Sequence, residues 1–366
     1  MKVFFLTNIP SPYRVDFFNE LGKYCELTVM FESDKAAHRN ESWISKKYDN
    51  FSAVFLDNTS NFVKIKSLKK LFTHLKNDYN QIIIGGYSTF FGSCAIKFCE
   101  LNRLKFTLNA DGGFIQNSES VIRFKIKKHL ISRASYWLSS GEQTDKYLIH
   151  YGADARNIFS YPFTSIRDKD IEKVTDLEKN ILKQDLGYDS KPNLLYVGSL
   201  ISGKGVDTLI KSFKGLDSNF NLIIVGEGDQ KEKLIELTQT LKLKNIFFEG
   251  FKSPKEVQKY YKISDIFVFP TRSDVWGLVV NEAMSKGLPV ITTDKCIAGL
   301  ELIENGINGY IVPVNEYHQI NSYIQDIFNN KNKLDSLKLH SLETIKKYTI
   351  ENMAITIYNI LISLDI

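Results

Sequence analysis

Short apolar runs alternate with helically spaced apolar positions along most of the chain. Lys2–Thr7 reads as a strand, after which Val15, Phe17, Phe18 and Leu21 recur at mixed helical spacing. Leu27–Phe31 is a further strand; Leu68, Leu71, Phe72 and Leu75 mark an amphipathic helix. Ile82–Ile84 is a buried strand stopping at Gly85-Gly86, and a helix through Ala95 and Cys99 leads to a strand at Phe106–Leu108. This order predicts parallel sheets covered by helices on both faces. A polar, charged stretch from about Ser165 to Lys191 interrupts it. From Asn193 the alternation restarts, with strands at Leu194–Val197, Asn221–Val225, Ile246–Phe248, Ile266–Phe269 and from Val290. Helices at Asp207–Lys214, Lys231–Leu241, Glu256–Tyr261 and Val279–Lys286 lie between them. Helical segments through Ile320–Phe328 and Leu334–Lys347 follow, and the tail carries an apolar stripe of Ile355, Ile357, Ile360 and Leu361 that must pack on something. The pattern predicts an α/β chain with domains at residues 1–165 and 166–350 and a closing helix at 351–366.

Composition narrows the class. Of 366 residues, 43% are apolar and 24% charged, which excludes wholesale disorder. The uncharged run Tyr79–Ile96 contains Gly85-Gly86 and several polar residues, so it is not expected to span a membrane, and the first residues lack a secretory pattern. Cys25, Cys94, Cys99 and Cys296 form no C-x-x-C pair and have no His at zinc spacing, which argues against structural zinc or a disulfide scaffold. The net charge of +5 is uneven. Residues 1–165 hold 22 Lys/Arg against 15 Asp/Glu, a net +7, while residues 166–366 are at −2. A basic first half points to an anionic partner.

Two loops of the second half carry candidate chemistry. In Gly198-Ser199-Leu200-Ile201-Ser202-Gly203-Lys204-Gly205, a strand runs into a glycine-rich turn with a lysine and then into a helix. Glycines admit a ligand close to the backbone, and Lys204 offers a cation to a phosphate. The order of residues is not that of a Walker loop, and taken alone the segment reads first as an ordinary βα turn with a solvated lysine. In Pro270–Met284 a polar loop precedes a helix starting near Gly277, whose N-terminal N–H groups suit a diphosphate. Asp274 precedes that helix and Glu282 lies within it, so the two carboxylates reach different parts of an elongated ligand. The structural alternatives are a helix cap for Asp274 and a solvated Glu282.

With Gly287-Leu288-Pro289-Val290-Ile291 and Asn305-Gly306-Ile307-Asn308-Gly309, these segments stand in the order typical of family 4 glycosyltransferases, which the chain resembles most from about residue 193 to 314. The Asn8–Arg14 loop and Asp111-Gly112-Gly113 resemble those of bacterial capsular and exopolysaccharide transferases in that group. The resemblance implies a GT-B fold of two Rossmann-like domains facing across a cleft, with the C-terminal helix returning to the first. It implies a retaining, metal-independent enzyme using a nucleotide diphosphate sugar, with UDP as preferred nucleotide and no other cofactor. Carried over, Lys204 pairs with the diphosphate, with Gly198 and Ser199 beside it and the N–H groups of Gly277 and Leu278 on phosphate. Ser199 stands where the family has Arg, which leaves Lys204 or Arg272 to supply the missing cation. Glu282 would accept from the ribose, Asp274 from the transferred sugar, and Phe251 would lie at the nucleobase. Asp111 would orient a sugar or stabilise its glycine turn.

Residues 121–137, VIRFKIKKHLISRASYW, hold Arg123, Lys125, Lys127, Lys128 and Arg133 and no acid. A core stripe of Ile122, Ile126, Leu130 and Ala134 is expected, with Phe124 and Ile131 opposite among the lysines. That composition suits an anionic membrane surface or a plain solvated face, and no nucleic-acid module accompanies it. The expected enzyme is cytoplasmic, peripheral on the inner membrane face, and acts on a lipid-linked saccharide. Rival readings are a nucleotide-sugar epimerase and a non-catalytic GT-B subunit that binds a partner transferase.

Overall fold

The computed structural model describes residues 1–34, 47–57, 60–116, 118–216 and 218–364. They form two units, residues 1–165 with 349–366 and residues 166–348. Unit 1 contains β1 (Lys2–Thr7), α1 (Pro12–Leu21), β2 (Glu26–Phe31), β3 (Ser52–Phe55), α2 (Asn61–Leu75) and β4 (Gln81–Ile84). It continues with α3 (Phe90–Asn102), β5 (Thr107–Ala110), α4 (Val121–Ile131), β6 (Tyr136–Ser139), α5 (Glu142–His150) and β7 (Ile158–Ser160). The strands are all parallel, in the order β3-β2-β1-β4-β5-β6-β7. β1 and β4 are almost wholly buried, which is why they read as unbroken apolar runs. β3, β6 and β7 have no counterpart in the sequence pattern: β3 and β7 are only partly buried and so lack an unbroken apolar run, and β6 directly follows the apolar and basic residues of the 121–137 segment.

Unit 2 contains α6 (Asp176–Asp185), β8 (Asn193–Val197), α7 (Val206–Ser212), β9 (Asn221–Val225), α8 (Lys231–Thr240) and β10 (Ile246–Gly250). α9 (Pro254–Ile263), β11 (Ile266–Phe269), α10 (Leu278–Ser285), β12 (Val290–Thr293), α11 (Ile297–Leu302) and β13 (Gly309–Val312) complete the sheet, followed by α12 (Tyr317–Asn329) and α13 (Lys331–Ile345). Its sheet is also parallel, ordered β10-β9-β8-β11-β12-β13. Each unit is thus a doubly wound, Rossmann-like αβα layer.

The last helix, α14 (Ile350–Ser363), belongs to unit 1 and packs on α1. It buries Ile350, Met353, Ala354, Ile357 and Leu361, a true three-and-four spacing, whereas Ile355 of the expected stripe is exposed. Tyr358 stacks on Tyr24 at 5.4 Å, and Gln81 donates to the Leu361 carbonyl at 3.3 Å.

The 121–137 segment departs from expectation. Its helix stops at Ile131, and Tyr136 and Trp137 belong to β6. The rotation of α4 also differs: Ile131 is buried and Phe124 packs on the core, while Ile122 and Ile126 are exposed; of the expected core stripe, Leu130 and Ala134 do face the core. The ring decides this, because Phe124 meets His150 and Tyr151 at 5.4 and 5.6 Å, and Lys127 is drawn to Glu119 at 2.6 Å.

Ile357→Ala should cost about 2–5 kcal/mol, as other truncations of buried Leu or Ile do. The expected result is a lower urea midpoint; an unchanged midpoint would mean that α14 is not anchored through this residue.

Candidate active site

β8 and β11 are neighbours, and the chain leaves them in opposite directions, toward β9 and toward β12. Loops at such a reversal form the usual ligand crevice of an open α/β sheet. Here they are residues 198–205 and 270–277, the two loops with candidate chemistry. They touch backbone to backbone. Gly205 has φ +67°, and a Cβ there would lie 2.0 Å from the Pro270 carbonyl oxygen, so no other residue fits without moving the loop. The Gly203 carbonyl accepts from Arg272 N–H at 2.8 Å and from Thr271 Oγ1 at 3.1 Å.

This contact brings Lys204 to Asp274. Lys204 Nζ donates to Asp274 Oδ2 at 2.5 Å, with both side chains largely buried, and the ammonium lies 5.5 Å from the Phe269 ring centroid. Asp274 Oδ1 accepts from Trp276 N–H at 3.2 Å. Asp274 is therefore not the cap of α10; the N-cap is Gly277, at φ +99°, and no side chain caps the first turn. A Cβ on Gly277 would come within 2.9 Å of Cys296 Sγ. Leu278 opens the helix, so its N–H and that of Gly277 lie beside the Asp274 loop.

Glu282 is only partly exposed, and it accepts from Tyr261 Oη at 3.0 Å. Burial raises its pKa to about 7, against the opposing effect of the Tyr261 hydrogen bond. The solvated reading of Glu282 is thereby corrected. Tyr261 lies 21 residues earlier on α9, and no local signal in the sequence links the two.

Arg272 is engaged elsewhere. Its guanidinium donates to the Ser202 carbonyl at 2.5 Å, Asn315 Oδ1 at 2.9 Å and Asp207 Oδ2 at 2.8 Å, bracing the glycine loop from behind. The structure thus gives it the place of a loop support rather than a second free cation near Lys204. Ser199 is exposed, and its carbonyl accepts from Tyr196 Oη at 3.0 Å. Gly198 N–H donates to the Val225 carbonyl at 3.0 Å. Phe251, just after β10, is 50% exposed, so its ring is not a core residue and has a face free to stack.

Asp111 belongs to unit 1, beyond β5. It forms an ion pair with Arg14, and its other oxygen accepts from Asn109 Nδ2 and Tyr161 Oη, both at 2.9 Å. The pair joins the two unit 1 segments singled out in the sequence. The Asn8–Arg14 segment is a loop only to Ser11, and Asp111 holds the first turn of α1 through Arg14 rather than only its own glycine turn. Burial opposes charge on Arg14, but Asp111, Tyr13 and Tyr161 outweigh it and hold the guanidinium above its ordinary range.

Residues 178–341, which lie within unit 2, match the family model described as glycosyl transferases group 1. An uncharacterized glycosyltransferase of Methanocaldococcus jannaschii, MJ1178, is 30% identical over 188 residues, 51% of this chain and 52% of that protein. The capsular polysaccharide biosynthesis glycosyltransferase CapM of Staphylococcus aureus is 28% identical over 145 residues, covering 39% and 38%. The chain thus spans about half or less of the length of the relatives it matches. Among solved structures, Anabaena Alr3699/HepE in complex with UDP superposes with a TM-score of 0.83 at 17% identity, covering 99% of this chain and 100% of that one. The glycosyltransferase of Rickettsia africae gives 0.77 at 17% identity, covering 99% and 98%. The fold is GT-B.

Glu282→Gln should reveal the raised pKa. Between about pH 4.5 and 7 the folded chain keeps a proton that the unfolded chain releases, so wild-type stability falls as pH rises through that window. Gln removes the loss, worth at most about 3 kcal/mol. Melting temperatures across the window should therefore diverge in favour of Gln; parallel curves would mean an ordinary carboxylate. Asp111→Ala, which leaves Arg14 buried and unpaired, should destabilise by about 3–5 kcal/mol in urea. A loss below about 1 kcal/mol would show that the pair does not hold that turn.

Proposed function

We propose that the chain is a retaining, metal-independent glycosyltransferase that moves a sugar from a UDP-sugar to a hydroxyl of a lipid-linked saccharide. The observation that carries this reading is the Lys204–Asp274 pair, set at the chain reversal within the residues that match the group 1 model, beside the uncapped start of α10. A lysine paired with a carboxylate can exchange it for a diphosphate. On donor binding Lys204 turns to the phosphate oxygens and Asp274 is released to accept from hydroxyls of the transferred sugar. Glu282 accepts from the ribose, Gly277 and Leu278 N–H groups meet phosphate, and Phe251 stacks on the base.

The acceptor oxygen bonds to the anomeric carbon while the bond from that carbon to the diphosphate breaks. The acceptor proton passes to a diphosphate oxygen, and UDP leaves. Lys204 stabilises the charge that develops on it. Attack from the face that the leaving group vacates preserves configuration and needs no side-chain nucleophile. Asp111 serves the acceptor side through the Arg14 turn it holds.

UDP is preferred because HepE has been solved with UDP and with UDP-glucose, and a saccharide acceptor because CapM is named for capsular polysaccharide biosynthesis. The test measures UDP release and sugar transfer together with calorimetry of UDP binding. Lys204→Ala should lower turnover at least about tenfold. Glu282→Ala should weaken UDP about 10–100-fold, the worth of a charged hydrogen bond. Asp274→Asn should lose transfer while keeping UDP affinity. Unchanged UDP binding in Glu282→Ala, or full activity in Lys204→Ala, would sink the assignment. A changed sugar with donor alone would indicate epimerisation instead.

A further inference from the structure

α2, α3 and α4 lie side by side in unit 1. α2 carries Lys64, Lys66, Lys69 and Lys70 and no acid, and α4 carries Arg123, Lys125, Lys127 and Lys128 and no acid. α3, which touches both, joins them into one face. Lys64 lies 5.8 Å from the Phe90 ring of α3, and Lys76, just past α2, lies 5.9 Å from Phe98. Glu100 of α3 pairs with Lys97 at 2.8 Å and with Arg133, just past α4, at 3.0 Å.

Large apolar side chains stand outward on the same helices. Ile65 of α2 is 67% exposed, Phe90 and Leu101 of α3 are 51% and 73%, and Ile122 of α4 is 73%, with Val121 and Ile126 beside it. Phe90, Lys97 and Leu101 share one outer stripe of α3 by their seven- and four-residue spacing. Exposed apolar groups of this size on adjacent helices mark a contact surface.

We propose that this three-helix face docks on an anionic lipid bilayer, with Ile65, Phe90, Leu101, Val121, Ile122 and Ile126 entering the interface between the lysines. A bilayer answers both features at once, phosphate headgroups for the cations and the acyl boundary for the apolar side chains. A soluble polyanion would leave the apolar side chains in water. A second copy of the face would set lysine against lysine with Glu100 already paired, a costly like-charge contact. Lys127 takes no part, since it is paired with Glu119. The face is broader than the 121–137 segment, and its apolar members differ from the Phe124 and Ile131 that the sequence suggests.

The experiment is co-sedimentation with phosphatidylcholine vesicles, with and without phosphatidylglycerol, at low and high salt. Two variants change only exposed positions: Ile65→Ser with Leu101→Ser and Ile126→Ser, and Lys66→Glu with Lys69→Glu and Lys125→Glu. UDP binding, which involves unit 2 loops, is measured on each as an independent readout, so failure at the membrane and failure of the donor reading are told apart. Wild type should sediment with anionic vesicles and be released by salt, because headgroup attraction fades within a Debye length. The apolar triple should bind at least about tenfold and the charge triple at least about a hundredfold more weakly, since each basic residue contributes about 1 kcal/mol and each reversal adds repulsion. Equal binding to neutral vesicles, no binding at low salt, or wild-type binding by either triple overturns the proposal. So does tight heparin binding without vesicle binding, or a dimer that the apolar triple dissociates.

Discussion

The contact between the loops after β8 and β11 is the constraint on which the rest of unit 2 depends. Gly205 lies so close to the Pro270 carbonyl that a side chain would collide, and that closeness brings Lys204 and Asp274 together from 70 residues apart. Arg272 fastens the same joint from behind through Ser202, Asn315 and Asp207. Burial would raise the Asp207 carboxyl, but the Arg272 bond, with its charge and that of Lys211, holds it below the ordinary range. The cation that faces the crevice is thus held by a second cation that does not, and replacing either would act on the same loop.

Unit 1 uses a comparable device. Its cation, Arg14, follows β1, and its carboxylate, Asp111, follows β5, as Lys204 follows β8 and Asp274 follows β11. In each unit an ion pair ties together segments that follow two parallel strands, Arg14 from the first turn of α1 and Lys204 from the glycine-rich turn, where the backbone has left its ladder and polar side chains must take over. The two pairs differ in freedom. Asp111 has both oxygens occupied by Arg14, Asn109 and Tyr161, which suits a fixed support. Asp274 accepts from the mobile-stemmed Lys204 through one oxygen and from the Trp276 N–H through the other, so turning that single lysine toward a ligand frees a carboxylate oxygen.

The carboxylates at the proposed donor site are also set apart chemically. Asp274 faces an ammonium, while Glu282 faces the Tyr261 phenol and burial raises its pKa to about 7. A hydroxyl-rich ligand that donates to Glu282 would favour its ionised form, so binding and proton release are coupled at that position.

Much of the fold was legible because long buried parallel strands are continuous apolar runs, and the helices between them repeat at a readable spacing. β3, β6 and β7 were not, because β3 and β7 are only partly buried and β6 merges with the apolar and basic residues before it. The donor loops were legible for a local reason: strand, glycine, lysine and helix follow one another in sequence, as do Asp274, Gly277 and Glu282. Their partners were not. Tyr261 against Glu282, Arg272 against Asp207, and Arg14 against Asp111 are contacts between distant segments, which only the folded sheet order creates. The rotation of α4 is the sharpest case. Apolar residues stand on both of its sides, so periodicity favours neither, and packing of the Phe124 ring against Tyr151 and His150 turns Ile122 and Ile126 outward. Sequence alone determined which segments are strands, helices and glycine turns wherever the pattern was unbroken; tertiary structure decided which charges meet and which apolar side chains stay in water, because those depend on neighbours that the chain supplies from elsewhere.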